Sequence, residues 1–218
     1  MKRNVCLSVL VFLFAFFAFA KAAEQVYDGT QYSAGDGDTL IFDGQSPYND
    51  ITNNINSSST LTGTIYITGE IDSYKLIFGE NLLISSHGKI TVDLTQHASS
   101  VLFMSSKTIV NDGNFIITGD GSSLADGISD ILFKGAGKVI LDGAALDLKN
   151  TVSIEQSSLT INAGKLSSAA DLLKVKYIEN NDTLTLTGGT LIGELAGNGT
   201  LNVNASASDK TVFINSVL

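Results

Sequence analysis

Cysteine is nearly missing from this chain. Cys6 is the only one, so no pair exists to close a disulfide within the chain. Tryptophan is absent, which removes the broadest aromatic platform for stacking on sugar rings. Arginine occurs once, at Arg3. Lysine and arginine together number 13 against 22 aspartates and glutamates, for a net charge of −9. An acidic surface with so few cations disfavours nucleic acid and anionic membrane as partners. Proline occurs once, at Pro47, and histidine only at His87 and His97. Long apolar runs are missing too, apart from one at the start.

That run spans Val5 to Ala20, with phenylalanine at 12, 14, 16, 17 and 19. Lys2 and Arg3 precede it, and Ala20-Lys21-Ala22 places small residues at the −3 and −1 positions of a cleavage site. This is the pattern of a secretory signal peptide, 1–22, cut after Ala22. Ala18-Phe19-Ala20 offers a second cut. The run is short for a membrane span. Cleavage would remove Lys2, Arg3, Lys21 and Cys6. The 13 cations fall to 10 against the same 22 acids, so the mature charge becomes −12. The expectation is one exported domain, 23–218, secreted or held at the cell surface.

What is abundant is glycine, 21 residues, and it recurs in one context. GTIYITGE at 63–70 returns as GNFIITGD at 113–120 and GKVILDGA at 137–144. Gly37, Gly63, Gly88, Gly113, Gly137, Gly164 and Gly189 stand 26, 25, 25, 24, 27 and 25 residues apart. A polar residue follows each. The second residue on is apolar in all but one case: Ile65, Ile90, Phe115, Val139, Leu166 and Leu191, with Thr39 the exception. The fourth is apolar at Ile41, Ile67, Val92, Ile117 and Leu141.

Apolar residues two apart lie on one face of a strand. Glycines flank strands where the chain turns or a neighbouring backbone comes close. A period of about 25 belongs to repeat architectures, whose units bury their inner faces only by stacking. Further strand-like runs, Leu76-Ile77-Phe78, Val101-Leu102-Phe103 and Ile131-Leu132-Phe133, give each coil two or three strands. The fold expected is all-β: a right-handed parallel β-helix, or β-solenoid, of about seven coils of about 25 residues. At a strand spacing of about 4.8 Å its length is about 35 Å. An antiparallel β-sandwich with glycine turns is the competing reading, and the near-constant spacing disfavours it.

Two stretches interrupt the pattern. Residues 45–60, QSPYNDITNNINSSST, read as a loop or irregular insertion. Ser167 to Lys176, SSAADLLKVK, leaves two readings open: a short helical turn at Leu172-Leu173-Lys174, or a degenerate strand. Ser168 stands there at an inward position.

The last third, LTLTGGTLIGELAGNGTLNVN at 184–204, resembles the passenger domains of bacterial autotransporter adhesins. Its Gly-Thr-Leu units are spaced by Gly-Gly and Gly-Asn-Gly, and the resemblance extends over most of 37–204. It implies a β-helix exported by the Sec route to the surface of a Gram-negative bacterium. Members carry a C-terminal outer-membrane barrel. The sequence to Leu218 shows no ladder of alternating ten-residue strands, so the expectation is a passenger without its barrel, either truncated or free-standing.

Chemistry-bearing groups are sparse. Asp36, Asp38 and Asp43 in AGDGDTLIFDG resemble a calcium β-roll, which needs tandem nonapeptides. None follows, and GDGSSLADG at 119–127 is equally isolated. Solvated turn carboxylates are the simpler reading. His87 and His97 lack a third ligand. Thr60, Thr62 and Thr64, and Thr183, Thr185 and Thr187, form alternating ladders that suit the solvent side of strands. Asn56, Asn181, Asn198 and Asn204 begin sequons, which matter only in a eukaryotic host. No catalytic, cofactor or metal residue is assigned.

The functional expectation is a non-enzymatic adhesin-like module. Its partners are a host glycan, a host protein, or further copies pairing through the solenoid ends. Two alternatives stand beside it: a β-helix polysaccharide lyase or hydrolase, and a truncated passenger with no function of its own. Clustered acids on one coil face would favour the enzyme, and scattered turn aspartates the adhesin.

Overall fold

The computed structural model describes residues 24–26, 39–42, 60–61, 64–67, 75–77, 82–95, 101–104, 108–120, 125–129, 131–149, 151–204 and 212–215. The signal segment 1–22, the stretch 45–59, Gly37, Gly63 and His97 lie outside them. Among the described residues there is no helix, and every strand pairing is parallel. The chain is a parallel β-solenoid, and an antiparallel sandwich is excluded.

Four turns follow one another from Ile131 to Asn204. Each crosses three columns of stacked strands in the same order. In one turn Ser153–Gln156 lies in the third column, Ser158–Ile161 in the first and Lys165–Ser168 in the second. The next turn places Leu172–Val175, Tyr177–Asn180 and Thr183–Leu186 beneath them. Strands nearer the N-terminus pair into the same columns.

The core follows from period two. The strand Lys138–Leu148 alternates, so that Val139, Leu141, Leu146 and Leu148 are buried. Equivalent positions stack from rung to rung. Ile90, Phe115, Val139, Leu159 and Ile178 form one buried rank of the first column. Ile109, Phe133, Ile154, Leu173 and Leu191 form that of the third. Where ranks meet, Phe115 and Phe133 pack edge to face with centroids 5.1 Å apart, the geometry favoured by ring quadrupoles.

The coils are not equal. Along the rank Ile65, Ile90, Phe115, Val139, Leu159, Ile178 and Leu195 the steps are 25, 25, 24, 20, 19 and 17 residues. Corners shorten while strands persist. Between third and first columns, Ser85 to Gly88 shrinks to Ser157 alone and then to Lys176 alone.

This taper explains where the glycine ladder leads. Gly88, Gly113 and Gly137 occupy one corner, each just before a first-column strand. A Cβ on Gly113 would lie 2.1 Å from Gly88 O, and one on Gly137 2.5 Å from Gly113 O. Only glycine lets successive rungs touch there. Gly164 and Gly189 do not continue that corner. A spacing near 25 walks out of phase once coils shorten, so Gly164 precedes the second-column stretch Lys165–Ser168 and Gly189 opens a third-column strand. The exception at Thr39 also resolves. Register pairs Thr39 with Thr64 and Leu40 with Ile65, so Leu40 takes the repeat's apolar place.

The helical alternative at Leu172-Leu173-Lys174 is overturned. Leu172–Asn180 is a strand in which Leu173 and Val175 are buried, because alternation lets Leu173 stack on Ile154. Ser168 stands at an inward place of the second column, between Leu148 and Leu186. Its Oγ accepts from Ala170 N at 3.3 Å.

Candidate functional site

The outer side of the first column presents ordered ranks. Residues next to the buried ones point outward, and register aligns them. Tyr66, Thr91, Ile116, Ile140 and Thr160 form the central rank. Tyr66, Ile116, Ile140 and Thr160 are half-buried, and Thr91 is buried. On one edge lie Thr64, Lys89, Asn114, Lys138 and Ser158. On the other lie Asp93, Thr118 and Asp142. The strands read KITVD at 89–93, NFIIT at 114–118 and KVILD at 138–142. Rungs with a cation at one end and an anion at the other thus alternate with a neutral rung.

Asp93 is tied into its own face. Tyr66 Oη donates to Asp93 Oδ2, and Thr95 N donates to Oδ1 at 2.9 Å. Partial burial pushes the carboxyl up. The hydrogen bonds from Tyr66 and Thr95 outweigh that and hold it below the usual carboxylate range. Lys89, Lys138 and Asp142 make no side-chain hydrogen bond or ion pair within the described residues.

Between the first and second columns runs an open groove of about 570 Å³. Its bed is backbone. Gly143 and Gly164 have φ of +109° and +95°, and a Cβ on Gly143 would stand 2.2 Å from Gly119 O. Asp120, Asp142, Asp182 and Lys165 line its walls. Asp182 is partly occupied, since Oδ2 accepts from Gly164 N at 2.7 Å and Oδ1 from Thr183 Oγ1 at 3.0 Å. Asp120, Asp142 and Lys165 are exposed. Such a groove can accept sugar hydroxyls through its carboxylates and hold an anionic group with Lys165.

Asp36, Asp38 and Asp43 lie outside the described residues, as does Ala22. His87 is exposed at the corner beside Gly88. Thr183 and Thr185 stack on Lys165 and Ser167 on one side and on Thr200 and Asn202 on the other, on the outer side of the second column, so only Thr183 continues as threonine into a neighbouring rung. Among the described residues no three of His, Cys, Asp and Glu are arranged to hold a metal ion. Sequence reasoning missed the gathering of Asp120, Asp142 and Asp182. Nothing in their spacing shows that one corner, repeated over four coils, brings them to one groove. The signal it passed over is the pair KITVD and KVILD, one charge pattern on strands two rungs apart.

Comparison with family models, curated proteins and solved structures finds no match to this chain.

Proposed function

We propose that this chain is an exported, non-enzymatic β-solenoid, similar to an autotransporter passenger, which displays its outer coil faces as contact surfaces outside the cell. In this reading it winds to the right, as parallel crossovers do. About seven turns build the rod once the strands before Ile131 are included. The observation that supports display is the outer side of the first column. There Ile116 and Ile140 form an apolar centre between a lysine-bearing edge and an aspartate-bearing edge, in register over successive rungs. Rigid flat ranks suit a partner that is itself extended or repetitive.

The test couples the purified chain to beads and measures attachment to glycan-coated, protein-coated and chain-coated surfaces. Ile116→Lys and Ile140→Lys, checked for native circular dichroism, should lower attachment at least about tenfold. Attachment that ignores both changes overturns the reading.

The groove favours a second reading, a polysaccharide lyase or hydrolase. It gathers Asp120, Asp142 and Asp182 beside Lys165, and paired carboxylates are what glycoside hydrolysis requires. Product release from uronate and neutral polysaccharides, abolished by Asp142→Asn, would establish it and remove the first.

A further inference from the structure

We propose that the outer face of the first column is a self-complementary surface. Two copies of this chain pack there face to face, about a two-fold axis parallel to the solenoid axis. The proposal rests on reading that face as a contact surface and names its partner.

Each charged rung carries lysine at one end and aspartate at the other: Lys89 with Asp93, Lys138 with Asp142. Rotation about an axis parallel to the rod exchanges left and right edges and keeps each rung at its height. Lys138 of one copy then faces Asp142 of the other, and the reverse pair forms at the same level. Lys89 and Asp93 match likewise. Rotation about an axis along the strands instead sets the lysine edge against the lysine edge. Like charges so placed repel, so the face selects the parallel arrangement.

Three further observations favour a second copy over a foreign chain. The whole chain carries a net charge of −9, so two copies repel over most of their surfaces. The outer face is locally neutral, with Lys89 and Lys138 against Asp93 and Asp142, and is a place where copies can meet. Lys138 and Asp142 have no partner among the described residues, while Asp93 is already held by Tyr66. The pair Lys138–Asp142 therefore carries most of the attraction. Ile116 and Ile140 lie between the charged edges and bury against their symmetry mates.

Register is set as well. The neutral rung Asn114–Thr118 separates the charged ones by about 9.6 Å. A slip of one rung would set every charge against a neutral side chain. The face is only about 13 Å by 20 Å, far less than the roughly 800 Å² per partner of a stable dimer. The pair is therefore weak and depends on concentration. Copies displayed side by side on one surface gain avidity from many such contacts. Because both rods point the same way, the contact joins neighbours on one surface and not copies on opposed surfaces.

The first test needs no substitution. A zero-length carbodiimide joins a lysine amine to a carboxylate only when the two touch. Lys138 and Asp142 stand about 13 Å apart along one strand, so an amide between them must be between chains. The full chain at high concentration should give a covalent dimer whose peptides contain that amide, and salt should suppress it. In sedimentation, Lys138→Asp and Asp142→Lys should each weaken the dimer at least about tenfold. An equimolar mixture of the two should restore it, because their charges are again complementary.

A chain that sediments as a monomer to millimolar concentration overturns the proposal. So does a dimer that neither reversal weakens, or one cross-linked without the Lys138–Asp142 amide. If the chain is monomeric while attachment to foreign glycan or protein still needs Ile116 and Ile140, the dimer fails and the contact surface stands. If attachment also ignores those residues, both fail.

Discussion

Asn111 and Gln156, 45 positions apart, meet inside a corner of the solenoid, where Asn111 Nδ2 donates to Gln156 Oε1 at 2.7 Å. The same amide donates to Lys138 O at 3.0 Å. Both side chains are buried, Asn111 completely. Asn180 repeats the device at the next corner, donating to Thr200 O at 3.0 Å. In each case a buried amide at the end of one strand caps a carbonyl at the start of a strand in the next column, one coil on. The corners are thus joined by polar contacts from one coil to the next.

Removing that amide should be costly. Asn111→Ala strips the Lys138 carbonyl and the Gln156 side chain of a donor, a loss of about 1–3 kcal/mol. Asn111→Asp should be worse at neutral pH, since an ionised carboxylate would face two acceptors. Its stability should partly recover in acid, where the carboxyl can donate. Urea unfolding of both variants at two pH values checks the ranking. An aspartate variant as stable as the alanine one at neutral pH contradicts the geometry.

Gly137 offers a sharper steric test. A Cβ there would lie 2.5 Å from both Asn111 O and Gly113 O, and both are backbone, which cannot swing aside. Gly137→Ala should destabilise by several kcal/mol, on the order of a large core defect. Ala136→Ser, one residue away and exposed, should change stability by less than about 0.5 kcal/mol. Similar melting curves for the two variants would mean the rungs are not in contact at this corner.

Much of this fold was legible because stacking demands repetition. The spacing of Gly88, Gly113 and Gly137 with an apolar residue two on is the sequence image of one corner and one buried rank. The second half read less well for a physical reason. Shorter corners changed the period, and Gly164 and Gly189 matched the count while serving other columns. Strand identity survived this, since Leu173 and Val175 still alternate. The candidate site was less legible. Lys138 and Asp142 are visible as a pair, but their alignment with Lys89 and Asp93 requires register. Asp182 joins Asp120 and Asp142 only because a corner folds back two coils later.

The aromatic contact in the core gives a further test. Phe115 and Phe133 are buried and belong to different columns. Phe133→Ala should cost about 3–5 kcal/mol through lost transfer energy and the cavity left behind. Phe133→Leu keeps most of the volume and should cost less than half as much. Equal losses would place Phe133 away from the packed interior.

Acid should act on the first column through Asp93. Its folded carboxyl lies below the usual range, because hydrogen bonds from Tyr66 and Thr95 overcome the opposing effect of burial. A carboxyl lowered in the folded state binds fewer protons there than in the unfolded chain. Its stabilisation is therefore fully present above the unfolded value, about 3.9, and is lost as pH falls toward the lower folded value. Most of the group is open to solvent, so screening keeps the effect small. Tyr66→Phe removes one donor while keeping the ring, so the Asp93 titration should move up toward the ordinary value. Carboxyl-carbon NMR across the acid range reads this directly. An unchanged midpoint would mean that Thr95 alone holds Asp93, and that Tyr66 contributes only its ring to the outer face.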